Sequence, residues 1–194
     1  MGEPISDAER EALEALGYSE EWLESGVLER DLLTQQHQRL QQGGTRKTGK
    51  YRSQALSAWL ASAGPIDDGQ LDACLAFTAT DPDAKLVGGA MAELIQSPRL
   101  SLEQLARIAR SDPKLVRRHE GLIRRTYLSR RLGEGVSDEI IDQVLASKDA
   151  SIQTKLVRDS RLSRKHAEAL AKRGANPTIR ANAQAWFQDK KSWK

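Results

Sequence analysis

Four short polar marks, each followed by good helix formers, set the tightest limit on what this chain can fold into. Asp81-Pro82, Asp112-Pro113 and Asn176-Pro177 each place a capping oxygen ahead of a proline. Proline at the first helical position wastes no hydrogen bond, because first-turn amides have no partner inside the helix. Asp149-Ala150 occupies the corresponding place without the proline. Before each mark stands a further amphipathic stretch, carrying Leu71/Cys74/Leu75, Leu102/Leu105/Ile108/Ala109, Ile140/Ile141/Val144/Leu145 and Ala167/Leu170/Ala171 in turn. After it, Leu115, Ile152 and Ile179 fall three residues beyond their marks, with Leu156 and Ala183 four further on. The marks lie 31, 37 and 27 residues apart, and the long interval reads as an extended helix around Lys114 to Leu132, ended by Gly133-Glu134-Gly135. Hairpins of this size cannot bury their apolar faces alone, so they stack on one another.

Composition agrees with an all-α class. Ala, Leu, Glu, Gln, Arg and Lys dominate, aromatics make up 5%, and no β-branched run alternates with period two. The expected architecture is a short right-handed α-solenoid of helix-hairpin repeats with an N-terminal helical cap. Ser6-Asp7-Ala8-Glu9 is a capping box, opening a helix that ends near Gly17. A short turn carries Trp22 and Leu23, and Val27 to Gln42 follows as a helix with Leu28, Leu32, Leu33 and Leu40 inward. The basic glycine-rich run 43–50 lacks apolar anchors and reads as a linker between an acidic segment, 1–42, and a repeat domain, 51–194.

Residues 138–188, above all Leu170-Ala171-Lys172-Arg173-Gly174-Ala175-Asn176-Pro177-Thr178-Ile179-Arg180, resemble leucine-rich repeat variant units, and more loosely HEAT-like α-solenoids. The pattern of a Leu-Ala helix end, an Asx-Pro turn and an apolar-Arg pair recurs more weakly at Asp112 to Arg117. The resemblance implies architecture and a binding surface, and it implies no particular chemistry.

Several function classes find no support in the residues. Gly44-Thr45-Arg46-Lys47-Thr48-Gly49-Lys50-Tyr51 nearly spells a phosphate-binding loop. That motif needs Ser or Thr after the lysine and a strand before it, whereas Tyr51 follows and a glutamine-rich helix precedes. His37, His119 and His166 stand apart from Cys or carboxylate at metal spacing and read as solvated or partly packed, so neither metal nor other cofactor is expected. Cys74, the one cysteine, sits among Leu71, Leu75 and Phe77 and reads as a buried, inert thiol. A single cysteine and an acidic start without an apolar leader make cytoplasmic residence the expectation. The longest apolar stretch, Leu71 to Thr80, is too short for a membrane span. No catalytic constellation is legible, so the chain reads as a non-enzyme with no evident small-molecule ligand.

Charge offers the one positive hint. Residues 1–97 carry 8 Lys/Arg against 16 Asp/Glu, and residues 98–194 carry 22 against 11. Arg117-Arg118, Arg124-Arg125 and Arg130-Arg131 recur six or seven residues apart, near two helical turns, and so fall in a broad stripe. Arg158 and Arg180 continue it, together with Lys155, Arg161, Arg164, Lys165, Lys172 and Arg173. One reading is a solvated or locally ion-paired helix face serving a protein-binding adaptor; the other is a nucleic-acid groove tracking phosphates. No aromatic platform interleaves the arginines, which weighs against base stacking. At the C-terminus, Trp186 and Phe187 read as a cap on the last apolar face, and Trp193 as either a partner anchor or part of a frayed tail.

Overall fold

A computed structural model of the chain describes residues 5–24, 30–43, 48–111 and 113–191. Among the described residues there are twelve helices and no strand. None of these helices is long and apolar enough to cross a membrane. The chain forms two compact units, Met1–Arg107 and Ile108–Lys194.

The first unit holds α1 (Asp7–Ala15), α2 (Glu20–Glu24), α3 (Arg30–Gln41), α4 (Thr48–Ala61), α5 (Asp68–Thr80), α6 (Ala84–Gln96) and nearly all of α7 (Leu102–Ile108). The expected capping box opens α1: the Glu9 amide donates to Ser6 Oγ, and the Ser6 amide to Glu9 Oε2 at 3.0 Å. Gly17 then turns the chain in the left-handed region, at φ 83°, where glycine avoids a Cβ clash. This bend buries Leu13, Leu16, Tyr18 and Trp22. The Tyr18 hydroxyl donates to Gln36 on α3, and Gln36 donates onward to the Tyr51 carbonyl on α4. Trp22 stacks on Phe77 of α5 with ring centroids 3.7 Å apart. Segments on both sides of 43–50 therefore share one core. Residues 44–47 lie outside the described set, and α4 already begins at Thr48.

One helix start differs from expectation. Asp81-Pro82 does not open α6; Asp83 does, accepting from the amides of Lys85 and Leu86 at 3.0 and 3.1 Å. The reason is competition for one carboxylate. Asp81 accepts from Arg52 Nε at 2.7 Å, Arg52 Nη2 at 3.1 Å and Trp22 Nε1 at 3.1 Å, so its oxygens point into the unit rather than along the helix. Its remaining lone pair takes the Asp83 amide, which turns the chain into the cap.

The second unit holds α8 (Pro113–Glu134), α9 (Asp138–Ser147), α10 (Ala150–Val157), α11 (Arg164–Arg173) and α12 (Pro177–Lys191). Here the caps fall where the sequence placed them. Asp149 accepts from the Ser151 and Ile152 amides, and Asn176 from the Ile179 amide at 2.9 Å. Pro113 is the first residue of α8, while Asp112 lies outside the described residues. Serines cap the intervening helices, Ser137 before α9 and Ser163 before α11.

Two layers result. α10 packs against both α8 and α12, and α9 packs against α11. Between them lies a core of Leu128, Leu132, Ile140, Val144, Leu145, Ile152, Leu156, Leu170 and Ile179, with Trp186 half-buried at its end. Gln153, fully buried, ties the layers: its Nε2 donates to the Val144 carbonyl at 3.0 Å, and its Oε1 accepts the Ala175 amide at 2.7 Å. A buried amide is tolerated only when both ends are satisfied, as they are here.

Candidate interaction surface

The arginine pairs sit on α8, and helix geometry sorts them. Seven residues advance a helix by about 10 Å while turning it only about 20°, whereas six residues turn it by about 120°. Arg117, Arg124 and Arg131 thus share one row and Arg118 with Arg125 the next, while Arg130 lies well around the helix. Leu128 and Leu132 enter the core from α8, and Ile123 and His119 are buried as well. Arg117, Arg118, Arg124 and Arg125 are exposed, and Arg130 and Arg131 are half-buried. Burial lowers the pKa of the Arg130 guanidinium from its ordinary value. Arg158, just past α10, is exposed; Arg180 on α12 is half-buried and donates to the Gly174 carbonyl at 2.9 Å. Trp193 lies outside the described residues, as does the side chain of Phe187.

Several of these cations already have anionic company. Arg124 lies 3.6 Å from Glu120, Arg131 lies 3.6 Å from Glu134, and Arg125 pairs with Asp149 at 2.9 Å. The last pair joins α8 to the cap of α10. Burial pushes the Asp149 carboxyl up, but Arg125 and the cap amides outweigh it and hold the carboxyl below its ordinary range.

The opposite layer balances its own charge. α9 carries Asp138, Glu139 and Asp142 and no cation, while α11 carries Arg164, Lys165, Lys172 and Arg173 against Glu168 alone. Across the layer Lys165 pairs with Asp138, His166 Nε2 lies 2.7 Å from Asp138, and Arg173 reaches Asp142 at 3.5 Å. Lys165 and then His166 hold the Asp138 carboxyl below its usual range. On α8 the count is seven Lys/Arg against two Glu. Lys155 and Arg158 add to the same layer. The surplus positive charge of the unit is therefore largest on α8.

Two histidines differ from expectation. His119 and His166 are buried rather than solvated or only partly packed, because each lies on the apolar side of its helix. His166 Nδ1 has no hydrogen-bond partner. His37 is half-buried, with Gln41 Nε2 at 2.9 Å from its ring. Among the described residues no group of His, Cys, Asp and Glu gathers as metal ligands would. Cys74 is buried and burial pushes its thiol pKa up, away from thiolate chemistry.

The sequence signal for the balanced layer was present but distributed. An all-acidic helix precedes a basic one by about 27 residues, and only their packing turns the two into a ladder. Gln153 gave no signal, since an isolated glutamine in a helix reads as surface. No protein-family model, curated protein or solved structure matches the chain.

Proposed function

We propose that this chain is a non-enzymatic interaction module that binds another protein, one with an acidic face, through α8 and α10. In this reading the α8–α12 hairpins stack as a short right-handed α-solenoid, whose outer helices supply area and preset geometry. Cytoplasmic residence belongs to the same proposal. The observation that carries it is the contrast between the layers: α9 and α11 satisfy their charges mutually, while α8 presents seven cations against two carboxylates. Surplus charge of one sign steers association and selects partners more than it adds affinity.

Nucleic acid is the second reading, supported by the 20 Lys/Arg against 10 Asp/Glu in residues 108–194. One feature favours protein. Among the described residues no aromatic side chain is exposed to stack on a base.

Fluorescence polarisation with a labelled glutamate-rich helical peptide, duplex DNA and single-stranded RNA tests the choice, at about 50 and 200 mM salt. The peptide is expected to bind, with at least a tenfold loss in the Arg117→Glu/Arg124→Glu variant. Nucleic-acid binding that is indifferent to sequence and falls steeply with salt would put the second reading first. Peptide binding untouched by the charge reversal would remove α8 as the surface.

A further inference from the structure

The acidic counterpart of the α8 surface is present in the chain itself. Residues 7–24 contain seven Asp/Glu and a single cation, Arg10, which lies 3.9 Å from Glu20. On α1, Asp7, Glu11 and Glu14 recur at four and three residues, the spacing of one helical face, and all three are exposed. Leu13 and Leu16 occupy the opposite face and are buried. Glu20, Glu21 and Glu24 on α2 are exposed too. The acidic stripe from Asp7 to Glu14 spans seven residues, and the basic row on α8 repeats from Arg117 to Arg124 at the same seven. Both spans are about 10 Å along their helices. Two stripes of opposite sign and equal pitch fit side by side, as flanking charges do along a coiled-coil seam.

Each stripe is exposed on its own unit, so that unit does not cover it. We infer that the chain docks a second copy of itself, the acidic α1–α2 surface of one copy lying on the basic α8 row of the other. This rests on the reading of α8 as a docking surface and names its occupant. Each copy carries one stripe of each sign, so the contact joins two different surfaces. Held by exposed ion pairs, it is weak and screened: the Debye length falls from about 30 Å at 0.01 M salt to about 3 Å at 1 M.

Sedimentation equilibrium of the full chain is the test. At about 0.01 M salt the average mass is expected to rise with concentration above the 21.5 kDa of one chain, and to return to it near 1 M. Two variants each reverse one stripe, Glu11→Lys/Glu14→Lys and Arg117→Glu/Arg124→Glu. Each alone is expected to stay at the mass of one chain at low salt, and an equimolar mixture of the two to associate again. Circular dichroism checks that both fold; should the α8 variant fail to, the α1 variant alone still decides. A single-chain mass under every condition overturns the inference, as does association that survives both reversals or 1 M salt. If the wild-type chain stays single while the glutamate-rich peptide binds α8, only self-docking is lost. If the peptide also fails to bind, the α8 reading falls with it.

Discussion

Asp81 shows how one carboxylate can be claimed by two structures at once. In sequence it looks like a helix cap, because Asx-Pro ahead of helix formers is a strong local signal. In the fold it is the acceptor for Arg52 and Trp22, which lie 29 and 59 residues away, and the cap moves two residues on to Asp83. Long-range partners leave no trace at the position they claim, so this part of the fold was not legible. The Arg52 and Asp81 side chains are 4% and 1% exposed, so the pair is fully withdrawn from water. Removing one member of such a pair strands the other charge, at a cost of about 3–5 kcal/mol. Arg52→Met is therefore expected to lower the unfolding free energy by that amount in a urea titration. A loss under about 1 kcal/mol would mean water reaches Asp81 once the arginine is gone.

Among the helices, the starts of α1, α10 and α12 were readable and the helix–helix contacts were not, for one physical reason. A cap is a bond between a side chain and an amide two or three residues away, so the whole interaction lies in one short window. Layer pairing, as between α9 and α11, joins residues about 30 positions apart and depends on packing. Gly174 marks a case between the two. It stands at the end of α11 in the segment that carries the repeat resemblance, yet its φ of −53° asks for no glycine. Space asks for it: a Cβ there would lie 2.6 Å from the Leu170 carbonyl oxygen and 2.9 Å from Ile179 Cγ2. One of those contacts is backbone, so the turn into α12 must shift to admit a methyl. Gly174→Ala is expected to destabilise the second unit by about 1–3 kcal/mol, read as a lower thermal midpoint. An unchanged midpoint would show that the α11–α12 turn gives way freely.

For the molecule as a whole, the charge asymmetry seen in the sequence follows the compact units closely: residues 1–107 carry 10 Lys/Arg against 17 Asp/Glu, and residues 108–194 carry 20 against 10. The division itself, at Arg107, was not foreseen. Glycine and basic residues at 43–50 gave a stronger breaker signal than anything near Arg107, but the core formed by Tyr18, Trp22, Gln36, Tyr51 and Phe77 spans that run. Acid should act on the second unit through three carboxylates. Lys165 and His166 lower Asp138 and Arg161 lowers Asp159; at Asp149, Arg125 and the cap amides overcome the upward push of burial. A folded-state pKa below the unfolded one stabilises fully above the ordinary carboxylate range, and that share is lost as pH falls through the depressed folded values. Unfolding free energy is thus expected to hold level from pH 7 to about 5 and to fall steadily below about 4. A level profile down to about pH 2 would contradict it.

The reach between Trp22 and Asp81 also sets a timetable. A ribosome adds about 5–20 residues each second, so roughly 3–12 seconds pass between the synthesis of these two residues, 59 positions apart. Through that interval the indole of Trp22 has neither its acceptor nor Phe77 to stack on, and Arg52 emerges with no carboxylate to meet. The N-terminal helices of the nascent chain must wait, apolar faces open, until the α5–α6 turn leaves the exit tunnel and closes the first unit around them.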